Sequence, residues 1–260
     1  MPDDHPDPWQ IVAQLRDWAE ATSWCQWLEL SGSLGRGAGD HRSDVDAGIG
    51  VDAGYPFIHA RDEALAAALR FSPVADSLIQ SFGTDSAPAD HLVIQYVDGR
   101  QLSLVVCLAH QRPGLPPGAQ ALLDRAGQLA KPWAPGSLTA SPAQQHEWAF
   151  LAWWALRDVD KHTRRGQLWR ALTALDEARS LAWKLHAASL HVDYPTFGAV
   201  SVENAGQSAP AGLDRSLPAR PDSTLILAAA AALSSVLATL TSDLNVEGIH
   251  QLTINRLAQP

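Results

Sequence analysis

The sequence predicts an α+β protein, a mixed-sheet domain over residues 1–135 followed by an α-helical domain over residues 136–260. Three observations predict it. Strand-length apolar blocks separated by turn residues occupy the first half, apolar stripes at helical spacing dominate the second, and two proline-rich stretches, Pro113 to Pro117 and Pro132 to Pro142, mark loops, the second at the boundary.

The elements follow in order. Ile11, Leu15, Trp18 and Ala19 share one helical face within Trp9 to Ala21. Trp24 to Leu30 reads as a strand, Gly32 to Gly39 as a glycine-rich loop, and Val45 to Val51 as a second strand. Phe57 to Arg70 reads as a helix because alanine and leucine fill its centre. His91 to Val97 and Gln101 to Leu108 form a hairpin around Asp98-Gly99, a pair suited to a tight turn. Beyond the boundary, Trp148, Leu151, Ala152, Ala155, Leu156 and Val159 make one helical stripe, and Leu168, Leu172, Leu175, Ala178, Ala182 and Leu185 another. Residues 195–221 read as a loop, and helices over 222–240, capped by Asp222 or Ser223, and 244–257 complete the chain. The helical tryptophans Trp148, Trp153, Trp154, Trp169 and Trp183 are expected in the core or at the domain interface.

Composition narrows the partners. The chain is 46% hydrophobic and 18% charged, which suits a globular protein with a substantial core. Acidic residues outnumber basic ones 28 to 19, for a net charge of -9, so a long polyanion such as duplex DNA or tRNA is disfavoured and a small or cationic acceptor favoured. Cys25 and Cys107 lie in apolar surroundings and read as buried thiols, without a zinc-like Cys/His spacing. The acidic, proline-rich N-terminal segment lacks the character of a signal peptide, and the apolar run Leu225 to Leu240 is short for a membrane span. The expectation is a cytoplasmic protein without a membrane partner; a homodimer is left open.

The segment that carries chemistry runs from Leu30 to Ile49. Asp44 and Asp46, two residues apart on a strand, present their carboxylates on one face while Val45 turns into the core. Paired carboxylates at that spacing can share Mg²⁺, which prefers a few carboxylates completed by phosphate oxygens and water. A strand followed by Gly32-Ser33 lets backbone N–H groups and a hydroxyl approach phosphate, with Arg36 and Arg42 adding positive charge. Other phosphate and metal loops fail on spacing. A Walker A loop needs a lysine, which the segment lacks. The third glycine of a dinucleotide fingerprint falls on Asp40, and the closing glutamate of a calcium loop begun at Asp44 falls on Tyr55. Of the histidines, His41 alone lies in this loop and is the one to inspect for phosphate contact.

Gly32-Ser33, then Gly35 and Gly37, then Ser43-Asp44-Val45-Asp46 resembles the Gly-Ser…Asp-x-Asp signature of the polymerase β-like nucleotidyltransferases. A mixed domain followed by a helical one is similar to their antibiotic-modifying branch, which acts on aminoglycosides and lincosamides. The resemblance implies a nucleotidyltransferase fold, Mg²⁺ as cofactor and a nucleoside triphosphate as co-substrate. It also implies transfer of a nucleoside monophosphate, AMP by first choice, to a hydroxyl of a small-molecule acceptor bound between the domains. Asp44 and Asp46 become the catalytic metal ligands, and Gly32, Ser33, Arg36 and Ser43 the nucleotide-binding residues. Glu147, at the start of the first helix past the boundary, is the candidate base, or else an ordinary first-turn acid complementing the helix dipole. Lys161, near the end of that helix, reaches for the triphosphate or complements the helix C-terminus. One departure stands out: the position expected to hold a third carboxylate, on the returning hairpin strand, is Ser103. Two further readings follow: a catalytically degenerate nucleotide sensor or partner-binding module, and nucleotidyl transfer onto a protein or tRNA as in toxin–antitoxin systems.

Overall fold

The computed structural model describes residues 7–132, 136 and 138–258. The chain separates into two compact units, Met1–Ala134 and Pro135–Pro260. The boundary expected at residue 135 and the N-terminal segment before Asp7 lie outside the described residues.

The first unit runs α1 (Trp9–Ala21), β1 (Cys25–Leu30), α2 (Gly32–Gly35), β2 (Val45–Val51), α3 (Phe57–Ala68), β3 (Val74–Ser81), β4 (Ala89–Tyr96), β5 (Gln101–Leu108) and β6 (Gln120–Asp124). The strands form one sheet in the order β3-β4-β5-β2-β1-β6. It is mixed, because β2 pairs in parallel with β5 and antiparallel with β1. Alternation divides its faces. Val45, Ala47, Ile49 and Val51 of β2 join Leu92 and Ile94 of β4 and Leu102, Leu104 and Val106 of β5 in a buried core. Ile11, Val12, Leu15 and Ala19 of α1 and Ala60, Ala64 and Ala68 of α3 belong to the same core. The small alanine face of α3 permits close helix-on-sheet packing. The intervening residues of each strand, Asp46 among them, face the other way.

Two strands escape the sequence reading. β3 is an edge strand exposed along nearly its whole length, so it carries no apolar alternation. β6, at the opposite edge, follows directly on the proline-rich stretch taken as loop. At its end the Asp124 carboxylate accepts from Gln128 N at 2.8 Å and Leu129 N at 2.9 Å and closes a turn.

The second unit contains α4 (Pro142–Arg164), α5 (Leu168–Ser189), a short α6 (Ala199–Asn204), α7 (Ser223–Leu240) and α8 (Glu247–Leu257). Its core interleaves Trp153, Leu156 and Val159 of α4, Leu175, Ala182 and Leu185 of α5, and Ile226, Leu233 and Leu237 of α7. Ser141 caps α4 in a capping box with Gln144, and Asp222 caps α7 by accepting from Thr224 N and Leu225 N. The segment read as a loop over 195–221 holds α6 and two turns of 3₁₀ helix. Trp148 and Trp153 are buried, as expected of core tryptophans, whereas Trp154 and Trp169 are 44% and 75% exposed and lie outside the core. Trp154 follows Trp153 directly, and one helical step carries it off the buried stripe. The run read as too short to span a membrane forms, in α7, a helix of 18 residues with mean hydropathy 1.9. By length and composition it is apolar enough to cross one, although its face from Ile226 to Leu237 packs inside the helical core.

Candidate functional site

The candidate site lies where β1 ends, α2 turns and β2 begins. The β1–β2 pairing runs past Leu30↔Ala47 through Ser31 N, which donates to Asp46 O at 2.7 Å. Gly32 then takes φ +63°, a left-handed conformation that L side chains adopt only at a cost. A Cβ on Gly32 would lie 2.1 Å from Asp46 Oδ2, so the backbone and the carboxylate approach as closely as glycine allows. One helical turn follows, with Gly35 N donating to Ser31 O at 2.9 Å and Arg36 N to Gly32 O at 3.2 Å. Leu34, fully buried, pins that turn to the core, and Gln120 Nε2 of β6 donates to Gly35 O at 2.8 Å.

Asp46 stands on β2 opposite Ser103 of β5, its register partner in the parallel pair. Burial pushes the Asp46 carboxyl above its ordinary range. A hydrogen bond with the Ser103 hydroxyl counters this, the Asp44 charge adds to it, and His91 and Arg36 oppose it. Asp44 is exposed and directly precedes β2 rather than lying within it, yet its charge acts on Asp46. Ser103, the position expected to hold a third acid, is thus in contact with Asp46.

The structure also brings in a residue that the sequence reading passed over. His91 Nε2 lies 2.8 Å from Ser103 Oγ, so Asp46, Ser103 and His91 form one hydrogen-bonded chain across β2, β5 and β4. The loop histidine His41 lies near Asp40. On the same face, buried Glu29 of β1 lies against Gly48 and is held by Arg112 through both guanidinium and carboxylate edges.

The remaining site candidates are placed as follows. Ser33 is half-buried on α2, and its carbonyl accepts from Ala38 N at 2.9 Å. Arg36 ends α2 with its charge bearing on Asp46. The Ser43 hydroxyl is turned to Asp40, accepting from Asp40 N at 2.9 Å and donating to Asp40 Oδ1 at 3.3 Å. The Arg42 backbone N–H, then the Ser43 hydroxyl, hold the Asp40 carboxyl below its usual range. Ser43 therefore shapes the turn that delivers Asp44. Glu147 and Lys161 belong to the second unit. Glu147 is exposed in the second turn of α4 rather than the first, where no acidic residue stands, so it neither begins the helix nor complements its dipole. Lys161 Nζ pairs with Asp158 Oδ2 at 2.7 Å.

Among the described residues no group of three or more His, Cys, Asp or Glu side chains has the geometry to hold a metal ion. Asp44 and Asp46 are a pair, and two carboxylates completed by phosphate oxygens are a donor set that fits Mg²⁺ and not zinc.

No protein-family model matches the chain. No curated protein matches it by sequence. Among solved structures it is similar to an aminoglycoside 6-adenyltransferase from Bacillus subtilis, with 9% identity, a TM-score of 0.39, and 97% of this chain and 98% of that chain covered.

Proposed function

We propose that the chain is a Mg²⁺-dependent nucleotidyltransferase that moves a nucleoside monophosphate, AMP by first choice, from a triphosphate to a hydroxyl of a small molecule of the aminoglycoside kind. The observation that carries this reading is the contact between Gly32 and Asp46 Oδ2, with Asp44 beside it. A left-handed glycine turn pressed against paired acids is a place where triphosphate oxygens and carboxylates can share a cation.

Asp44 and Asp46 would hold Mg²⁺, which when bound would neutralise charge on the transferring phosphoryl group and align it for in-line attack. The other roles fall to the chain itself. The raised Asp46 carboxyl reflects its burial first and the Asp44 charge second, a disposition that a cation relieves. Gly32 and Ser33 offer N–H groups and a hydroxyl to phosphate oxygens, and Arg36 adds positive charge. Glu147, exposed and without a salt-bridge partner among the described residues, would take the acceptor proton. Lys161 would reach a phosphate only by leaving Asp158, so its part is secondary. The acidic balance of the chain suits a polycationic acceptor. The antibiotic-type acceptor is carried over from the resemblance of the domain order, a mixed domain followed by a helical one, to the antibiotic-modifying branch.

The experiment is a titration of ATP with Mg²⁺, followed by measurement of pyrophosphate release across a panel of aminoglycoside and lincosamide acceptors. Release that requires one acceptor and disappears in Asp46→Asn supports transfer. Nucleotide binding without release under any acceptor would sink the enzyme reading and leave a nucleotide sensor or partner-binding module. That second reading is favoured by one observation, a serine rather than a carboxylate beside Asp46.

A further inference from the structure

The strand opposite Asp46 supplies a hydroxyl where a metal-binding acid is expected, and that hydroxyl is itself held by a histidine. Ser103 is the register partner of Asp46 in the parallel β2–β5 pair, and the two side chains hydrogen-bond. His91 lies two residues along β4 from Val93, the antiparallel partner of Ser103, so His91 and Ser103 share a face. The contact between them is 2.8 Å, from ring Nε2 to Oγ.

The direction of each bond follows from counting protons. A carboxylate only accepts, so the Ser103 hydroxyl must donate to Asp46. A hydroxyl has one proton to give, so Ser103 must accept from its other neighbour, and His91 Nε2 must carry a proton. Reversing the chain would set a lone pair of Ser103 against the Asp46 carboxylate in a half-buried position. His91 therefore fixes the orientation of the hydroxyl, and the hydroxyl fixes the carboxylate, whose Oδ2 lies against Gly32.

We propose that His91 is a positioning residue for Asp46 acting through Ser103, a serine–histidine pair taking the place of a third carboxylate. The pair supplies no carboxylate to the metal site. It contributes a fixed rotamer, as outer-shell partners of metal ligands do. The inference about function rests on the nucleotidyltransferase reading; the hydrogen-bond chain does not.

Two measurements on the full chain separate these. The first is ¹⁵N NMR of the histidine rings without nucleotide. The expected result is a protonated His91 Nε2 in slow exchange with water, with the slow exchange lost in Ser103→Ala. An unprotonated Nε2 overturns the proposal whatever the protein binds. The second is Mg²⁺-dependent ATP affinity. Ser103→Ala and His91→Leu should each weaken it by about 10–100-fold. His91→Gln, which keeps an N–H donor, should restore most of the loss, a rescue that a merely space-filling histidine would not show. Equal losses in His91→Leu and His91→Gln, or undiminished affinity in Ser103→Ala, overturn the positioning role. Undiminished affinity in Asp46→Asn would instead defeat the functional reading while leaving the NMR result to stand.

Discussion

Gly32→Ala probes the site with the smallest possible addition. At φ +63° an alanine is strained by about 1–2 kcal/mol, which lowers Tm by a few degrees. Strain alone does not distinguish this glycine from others. Gly37, at φ +72° in the same loop, carries the same strain, but a Cβ there meets nothing within 4 Å. At Gly32 the new Cβ falls 2.1 Å from Asp46 Oδ2, and restoring an ordinary contact moves the carboxylate by more than about 1 Å. A displacement of that size at a reacting centre costs about 100-fold. Both variants should therefore lose stability, Gly32→Ala at least as much as Gly37→Ala, and differ sharply in function. Gly32→Ala is expected to weaken Mg²⁺-dependent ATP binding, or turnover, by about 100-fold, and Gly37→Ala to leave it near the wild type. Thermal denaturation and calorimetric titration of both variants decide the matter. Undiminished nucleotide binding in a folded Gly32→Ala protein would refute the reasoning, because the close approach of glycine and carboxylate would then serve no ligand.

Four other outcomes are expected. Arg112→Met leaves the Glu29 carboxylate buried without its guanidinium and should destabilise the first unit by about 3–5 kcal/mol in denaturant titration, an effect that a partner change to the isosteric Glu29→Gln reduces. Hydrogen bonds from Arg100 first, and from Ser72, hold the Asp98 carboxyl down to about 2. Because its folded pKa is depressed, its contribution is present above the ordinary carboxylate range and is lost as pH falls towards 2. Asp98→Asn should accordingly lower Tm at pH near 6 and converge with the wild type in acid. Glu147→Gln should reduce pyrophosphate release far more than ATP affinity, and equal effects on both would exclude it as the base. Asp222→Ala removes the acceptor for two N–H groups of α7 and should cost about 1 kcal/mol by chemical denaturation, with no change in nucleotide affinity.

The parts of the fold legible in the sequence were those with local causes. β2 was read with its observed ends because Val45, Ala47, Ile49 and Val51 alternate against small or polar neighbours, and α1 because its apolar face repeats at helical spacing. The Asp222 cap was legible for the same reason. β3 was not, since an exposed edge strand has no face to bury and writes no pattern. Within the site, Gly32 and Asp46 announced themselves by spacing, but His91 did not. The hairpin was read with Val97 inside the first strand and Asp98-Gly99 at the turn, whereas the structure joins Tyr96 to Arg100 through Val97, Asp98 and Gly99. One residue of register decides which face a side chain occupies. A pairing slipped by one residue would send His91 to the face opposite Ser103, and the observed register brings them together.

The parallel pairing of β2 with β5 has a consequence for how the site comes into being. The glycine turn and both acids lie within a short stretch that forms with the β1–β2 pair. Ser103 arrives only after the chain has passed through α3, β3 and β4 and laid β5 alongside β2. Such non-local pairing is closed late, because the loop entropy must be overcome before its contacts accrue. A peptide carrying the signature alone would hold the two aspartates without the hydroxyl that steadies one of them. The proposed site is thus complete only in a chain whose sheet has assembled from β1 through β5.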